Sequence, residues 1–375
     1  MSEARINRIS NEKGDGGPSL SGITTFSGLN YFVPPKGTTA ERPSDCPPGS
    51  IRFNTDSAHL EYWDGLQWLE FEATNDELGG GTGSNTGLGT RGVWEGGSTT
   101  TPVGDTIDYV TISTLGNAQD FGNLTVARQT FKNACASSTR GVFGGGYSVG
   151  QTNVIDYITF SSTGGAADFG DLTQPTTSVG AASNSTRGIF YSGLNSPSSP
   201  YTTNVISYIT IAQTGNSVDF GDALVAQGEY AGCSSSTRGL FALGSPIGID
   251  YITISTLGNA LHFGSLAGVN NSFGACSNAT RALFAGGYFS NNIDFVTIAS
   301  TGNAQDFGDM TVQRRRVAPC SSPTRAVFGG GEVPGSSTNI IDYVTIATTG
   351  NAQDFGDLTI ARNVLGACSN GHGGL

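Results

Sequence analysis

Short stretches of alternating apolar and polar residues, each ended by glycines, recur along most of this chain. The stretch Asn153–Phe160 alternates with a period of two, which places Val154, Asp156 and Ile158 on one face of a strand. No long stretch of the sequence has the 3.6-residue period and the capping residues of a helix. The pattern predicts an all-β protein built from short strands and tight turns.

A pair of markers, IDY and DFG, recurs six times, and its first positions are always 12 residues apart. The IDY marker begins at Asp108, Asp156, Ser207, Asp250, Asp294 and Asp342, and the DFG marker at Asp120, Asp168, Asp219, His262, Asp306 and Asp354. A Thr-Arg pair precedes an apolar strand in every copy, at Arg91, Arg140, Arg187, Arg238, Arg281 and Arg325.

The spacing of these arginines, 43 to 51 residues, is typical of propeller blades with several strands each. One blade cannot bury its own faces, so neighbouring blades must stack and the ring must close. The last copy ends in a strand of small residues within Arg362–Ser369, whereas the first copy lacks one. We therefore predict a six-bladed β-propeller over residues 88–375, closed by a C-terminal inner strand that leaves few open edges.

Length variation among the copies is confined to one loop type. The arginine and the IDY position are separated by 12 to 20 residues, but the DFG position and the next arginine by 19 or 20. Variation on one face is typical of a binding face, although neutral drift gives the same pattern. Aromatic residues contribute strongly to contacts, so the candidate surface-binding residues are the loop aromatics Tyr147, Tyr191, Tyr201, Tyr288 and Phe289. The alternative is that they cover blade edges.

The repeated arginines and aspartates suggest one structural ion pair per blade, with the partner aspartate in either marker. The pattern as a whole resembles the kelch repeat, which also has a Gly-Gly-ended strand and a later aromatic residue. It departs from kelch because the usual tryptophan is replaced by the phenylalanine of DFG. The resemblance implies a β-propeller over about three-quarters of the chain.

The N-terminal region has a different pattern. Residues 1–46 are polar and punctuated by glycine and proline, which predicts an extended arm that is either disordered or ordered along a partner; we favour the partner. Residues 47–71 predict a three-strand meander with turns at 54–57 and 64–65, and residues 72–87 an acidic and Gly-rich linker. Three short strands bury little surface, so the meander should pair with copies of itself or with another protein. Its candidate anchoring residues are Ile51, Phe53, Tyr62, Trp63 and Trp68.

The motif GSIRFNTDS at 49–57, followed by LEYWDG at 60–65, resembles a small module of structural proteins from tailed bacteriophages. The lead-in at 5–35 is similar to virion proteins of myophages that infect cyanobacteria. This resemblance implies a virion component that is anchored to other virion proteins by its N-terminus and displays the propeller outward. It also fits an exposed protein without a signal peptide, because virions leave the cell by lysis.

Charge and chemistry narrow the alternatives. The net charge of −12 predicts no nucleic-acid partner, and the only basic run, Arg314 to Arg316, is expected to be a solvated strand end. No apolar run is long enough for membrane insertion. The paired aspartates of DFGD are expected to bond turn amides rather than calcium.

Cysteine and histidine patterns predict neither cofactor nor metal. Five cysteines occupy the same inner-strand position, filled by Ala182 in the remaining copy, which indicates a small buried site rather than disulfides. The three histidines have no ligand spacing and form no catalytic set.

We therefore expect a non-enzymatic virion protein, from the tail or the head, that attaches to a host-surface glycan or protein. The alternatives are an architectural adaptor without a receptor and, less favoured, a carbohydrate-active propeller enzyme.

Overall fold

The computed structural model describes residues 34–57, 59–70, 90–98, 103–132, 134–195, 201–268 and 271–375. The chain divides into two compact units, an N-terminal one that ends at Asn75 and a larger one that begins at Asp76. Most of the predicted arm and the whole predicted linker lie outside the described residues.

The N-terminal unit contains a small mixed sheet with strand order β1-β2-β3-β4. Its strands are β1 (Lys36–Gly37), β2 (Ile51–Asn54), β3 (His59–Trp63) and β4 (Trp68–Glu70), with a 3-10 turn at Thr39–Glu41. The antiparallel β2, β3 and β4 form the predicted meander. The sheet has a fourth strand because the end of the predicted arm pairs in parallel with β2, Lys36 lying opposite Phe53.

The larger unit consists of six four-stranded antiparallel sheets, which are the blades of the predicted all-β propeller. Blade 1 contains β5 (Arg91–Glu95), β6 (Thr106–Thr111) and β7 (Gln119–Asn123). Blade 2 contains β8 (Ala134–Ala136), β9 (Arg140–Gly144), β10 (Val154–Thr159) and β11 (Ala167–Asp171). Blade 3 contains β12 (Gly180–Ser183), β13 (Arg187–Leu194), β14 (Thr202–Thr210) and β15 (Val218–Asp222).

The other three blades repeat the same order. Blade 4 contains β16 (Ala231–Ser234), β17 (Arg238–Gly244), β18 (Ile247–Thr253) and β19 (Leu261–Gly264). Blade 5 contains β20 (Phe273–Ser277), β21 (Arg281–Gly286), β22 (Asn292–Thr297) and β23 (Gln305–Asp309). Blade 6 contains β24 (Ala318–Ser321), β25 (Arg325–Gly329), β28 (Ile340–Thr345) and β29 (Gln353–Asp357), and its loop carries the hairpin β26 (Glu332–Val333) and β27 (Ser336–Ser337).

The C-terminal strand β30 (Gly366–Ser369) closes the ring, as the repeat phase predicted. It pairs antiparallel with β5, with Gly366 opposite Glu95 and Ser369 opposite Gly92. The innermost strands contact one another in sequence, and β30 contacts both β24 and β8. The first blade is thus completed by residues from the far end of the chain.

The core lies between blades, which explains the DFG marker. Phe169 is buried and meets Tyr157 of its own blade edge-to-face, at 5.9 Å between ring centroids. Gly170 has φ of 145°, and a Cβ there would lie 2.5 Å from the Gly215 carbonyl oxygen of the next blade. The phenylalanine therefore fills the core, and the glycine lets the neighbouring blade approach.

Candidate interaction surfaces

The Thr-Arg arginines link neighbouring blades and do not form the predicted ion pairs. The Arg140 guanidinium lies 4.7 Å from the Tyr157 ring centroid. Its Nη1 donates to the carbonyls of Ile211 and Ala212 in blade 3, at 3.1 and 3.0 Å. The other five repeat this arrangement, each over its own blade's aromatic ring and bonded to carbonyls of the next blade: Arg91, Arg187, Arg238, Arg281 and Arg325. The expectation was wrong because β9 begins at this arginine, three register positions from Asp156, and the guanidinium faces the next blade.

The IDY aspartates of three blades instead pair with buried arginines from the segment before each inner strand. These pairs are Arg128–Asp156 at 2.8 Å, Arg314–Asp342 at 2.9 Å and Arg362–Asp108 at 2.8 Å. Removing one partner from such a pair leaves a buried charge, which is strongly destabilising. Blade 3 has Ser207 at the aspartate position and Thr176 at the arginine position, so both partners are replaced together.

Arg314 also corrects the interpretation of the basic run as a solvated strand end. Its side chain is fully buried, and burial lowers its pKa, partly opposed by Asp342. Arg315 is partly buried and pairs in a bidentate way with Glu332, at 2.7 and 3.1 Å. Arg316 Nη1 lies 3.4 Å from the same carboxylate. The run therefore consists of one structural and two surface arginines.

The five candidate aromatics have different environments. Tyr147, Tyr201 and Tyr288 are exposed, and Phe289 is half-buried. Tyr191 is fully buried, so its prediction as an exposed contact residue was wrong. It lies inside β13, where its ring stacks on Phe241 at 4.0 Å and its hydroxyl donates to Asp250 Oδ2 at 2.9 Å.

Only Tyr288 and Phe289 of this set contact each other, with ring centroids 5.0 Å apart. The Arg315 guanidinium lies 5.4 Å from the Tyr288 centroid and 5.0 Å from that of Phe289. Together with Glu332, these three residues form a cluster that we call the rim patch. It was not foreseen as a unit because its members come from two blades.

The variable loops lie on the face where the chain enters the inner strands. Backbone bridges join the two, for example Gln129 to Tyr147 and Arg315 to Glu332. At the axis of this face, an equivalent position in every blade has left-handed φ, between 54° and 69°: Phe131, Ser178, Glu229, Ser272, Arg316 and Val364. Each costs about 1 kcal/mol or more, so the packing of the ring must hold them there.

Lys132 has the same left-handed conformation, with φ of 70°. Its ammonium lies 5.6 Å from the Phe273 ring centroid, although blades 2 and 5 are opposite each other in a six-membered ring. The side chain therefore crosses the axis. Burial lowers its pKa to about 8, opposed by the charge of Glu229 and assisted by that of Arg316. A small cavity of about 10 Å³ opens between these groups, and we call this region the axial mouth.

The opposite end of the channel is closed by hydrogen bonds between small residues. Each serine that ends an inner strand donates through Oγ to the carbonyl of the preceding blade, as Ser277 does to Ser234 at 2.7 Å. The others are Ser183, Ser234, Ser321 and Ser369, and Ala136 fills the position in blade 2. This serine ring is therefore broken at one junction.

The C-terminal residues cover the neighbouring junction, between Ala136 and Ser183. His372 Nε2 donates to the Ala136 carbonyl at 2.9 Å, and Nδ1 accepts from Gly374 N–H at 3.0 Å. Burial lowers the pKa of His372, partly opposed by the bond to Ala136. A Cβ on Gly374 would collide with the Ser183 carbonyl oxygen, which makes glycine necessary at this position. Residues 371–374 form a plug at this end of the channel.

Between the two ends, the five inner-strand cysteines are buried and free, which confirms their interpretation as a small buried site. Burial raises the pKa of the Cys135 thiol to about 12. They surround a narrow cavity of about 50 Å³. No group of three His, Cys, Asp or Glu side chains is arranged for a metal ion among the described residues.

The N-terminal sheet has a polar face that is covered around Glu61 and an apolar face that is partly exposed. Glu61 is buried and binds Arg42 at 2.6 Å and Asn54 at 3.2 Å. Alternation of side chains places Ile51, Phe53, Leu60, Tyr62 and Leu69 on the other face, where Ile51 is 50% and Leu60 41% exposed. We call these five residues the open face.

The predicted anchoring residues thus divide between the two sides of the sheet. Ile51, Phe53 and Tyr62 belong to the open face. Trp63 and Trp68 are on the covered side, where their rings meet at 5.7 Å and Arg52 lies 5.9 Å from the Trp68 ring.

No family model matches the chain, and no curated protein is significantly similar to it. Among the residues that the structure describes, no helix is both long and apolar enough to cross a membrane.

Proposed function

We propose that this chain is a structural component of a bacteriophage virion, anchored by its N-terminal unit and displaying the propeller toward the host surface. The observation that carries the proposal is the N-terminal motif resemblance, joined to a sheet whose apolar face is open. A contiguous apolar surface of this kind marks a contact with another protein. The exposed aromatics of the variable-loop face support contact with a host-surface glycan or protein.

The test is the composition of purified particles. Peptides of the chain should copurify with virions through density-gradient centrifugation, and gold-labelled antibodies should locate them on the tail or the head in electron micrographs. A chain found only in the lysate, with particles complete without it, would contradict the proposal.

Two charged substitutions on the open face test the anchoring. Ile51→Asp with Leu60→Asp should prevent incorporation while the propeller stays folded, because an anchored carboxylate would be buried without a partner. Leu66→Asp is the matched control, since Leu66 is 88% exposed in the turn after β3 and lies off the open face. Equal incorporation of both variants would exclude the open face as the anchor.

Attachment is separated from pure architecture by binding of the full-length protein to host cells. Saturable binding, reduced by substitutions on the variable-loop face, supports attachment. Incorporation into particles without any binding to cells supports the architectural alternative.

A further inference from the structure

The axial mouth and the rim patch form one continuous polar and aromatic surface on blades 5 and 6 with contributions from blades 2 and 4. Ser272 Oγ donates to Glu229 Oε2 at 2.8 Å, on the same axial cavity as Lys132 and Arg316. Arg316 lies 3.4 Å from Glu332, which is paired with Arg315 under the aromatic rings. The surface therefore runs without a break from the axis to the loops.

The charges of this surface differ from those of the whole protein. Lys132, Arg315 and Arg316 oppose only Glu229 and Glu332, so the surface carries one net positive charge on a chain of net charge −12. The Arg316 Nε atom is buried without a hydrogen-bond partner. Lys132 is partly buried, and this burial lowers the pKa of its ammonium group. Both groups are suited to bind an anion. An anion would give Arg316 Nε a hydrogen-bond partner and would stabilise the positive charge of Lys132 against its burial.

The size of the cavity limits what can enter. About 10 Å³ holds at most one water-sized group, so no more than a single oxygen atom of a ligand reaches between Lys132 and Arg316. The rest of the ligand must lie outside, toward the rim patch. There the residue Tyr288 is 60% exposed, and Glu332 and Arg315 supply an acceptor and donors.

We infer that this surface binds a carboxylate-bearing sugar, with one carboxylate oxygen entering between Lys132 and Arg316 and the sugar ring against Tyr288. An aromatic face beside charged donors and acceptors fits the apolar ring face and the hydroxyls of a sugar. A peptide is less suited, because the local backbone groups are already bonded: Arg315 and Glu332 to each other, and the Arg316 N–H to the Ser272 carbonyl. The inference deepens the proposed host attachment and rests on it for its biological setting.

The test is a titration of the full-length protein with sodium D-glucuronate, with D-glucose and acetate as reference ligands, followed by NMR or calorimetry. Saturable binding of glucuronate, at least tenfold tighter than that of glucose or acetate, is expected. Equal affinity for glucose would show that the carboxylate is not recognised and would overturn the inference. Tighter binding of a short acidic peptide than of any uronate oligosaccharide would also overturn it, in favour of a protein ligand.

Variants locate the site. Arg316→Gln and Lys132→Met should each weaken glucuronate binding at least tenfold, and Tyr288→Ala several-fold, with unchanged melting temperatures for the first and third. Lys36→Gln removes an exposed charge from the N-terminal unit and serves as the control. If Lys36→Gln weakens binding as much as Arg316→Gln does, the effect is general charge screening and the site is wrong.

Affinity should also fall as the pH rises through about 8, because Lys132 loses its charge there. The charged groups that face it are Glu229 and Arg316, and the Phe273 ring lies beside it. Lys132→Met should abolish this dependence, and its persistence in that variant would exclude Lys132 as a contact. Failure of uronate binding leaves virion incorporation untouched, and loss of virion incorporation leaves uronate binding measurable, so the two proposals fail separately.

Discussion

The two ends of the central channel differ in whether their side chains follow the six-fold repeat. The plugged end repeats one interaction, a serine hydroxyl on a neighbouring carbonyl, and a neutral histidine binds beside it. The axial mouth repeats only a backbone conformation, and the six residues that adopt it belong to five different types. Where the repeat is kept, the side chains hold the ring together. At the axial mouth, where the side chains do not repeat, we propose that they bind a ligand.

The largest effect is expected when the plugged end is removed together with the closing strand. Truncation after Arg362 deletes β30, leaves blade 1 without its inner strand and exposes the edge of β5. We expect loss of the cooperative fold, measured by circular dichroism and gel filtration. Truncation after Asn370 is the control, because it keeps β30 and deletes only the plug. A folded monomer after the longer deletion would show that closure is dispensable.

A single methyl group should displace the plug. In Gly374→Ala the added carbon collides with the Ser183 carbonyl, so the tail must leave the channel and the melting temperature should fall by several degrees. Gly248→Ala adds the same carbon where nothing lies within 4 Å and should change little. Glucuronate binding should survive in both, because the axial mouth is at the other end. Equal melting temperatures would mean that the plug contributes no stability.

The serine ring can be weakened or completed. Ser277→Ala removes the donor to Ser234 and the acceptor of the Ser234 N–H, which should cost about 1 to 3 kcal/mol of unfolding free energy. Ala136→Ser supplies the missing hydroxyl and should add about 1 kcal/mol if it bonds as the others do. Both are measured by urea denaturation. A destabilising Ala136→Ser would show that the junction of blades 1 and 2 has no room for the hydroxyl.

The smallest effect is the pH dependence of the plug. Because the folded pKa of His372 lies below its usual value of about 6.5, the unfolded chain binds the proton more readily. Its stabilising contribution is complete above about pH 6.5 and is lost as the pH falls toward the folded pKa. The melting temperature of the wild type should fall more between pH 7.5 and 5 than that of His372→Gln. Identical slopes would exclude a role for this proton.

The repeat spacing predicted the six blades and the closing strand because both follow from the order in which the strands occur along the chain. The parallel strand at Lys36 was missed, since a two-residue strand leaves no alternation to detect. The Arg–Asp partners were assigned wrongly although a signal was present. Each of these arginines follows a DFG position by eight residues, as Arg128 follows Asp120 and Arg314 follows Asp306. Thr176 has that same offset from Asp168, ahead of the blade in which Ser207 replaces the aspartate. The third pair, Arg362 with Asp108, is hidden because it forms across the ring closure.

The axial mouth could have been suspected from one irregularity. The offset from the DFG position to the next arginine is 20 residues only between blades 1 and 2, and that copy contains Lys132. The sequence could not show in which direction these side chains point. Whether Lys132 and Arg316 face solvent or converge on the axis depends on the left-handed backbone conformation at each position. The residue types do not predict that conformation, because neither residue is glycine.

Closure by β30 also has a consequence for how the protein is made. The partners Gly92 and Ser369 are separated by nearly the whole propeller in sequence, so blade 1 stays incomplete until the ribosome has delivered residues 366–369. Blades 2 to 6 must persist as an open arc during synthesis, with the β5 edge exposed to other chains. Such long-range pairing is slow, and an exposed edge invites aggregation. Nascent chains stalled before residue 366 should therefore be the most dependent on chaperones.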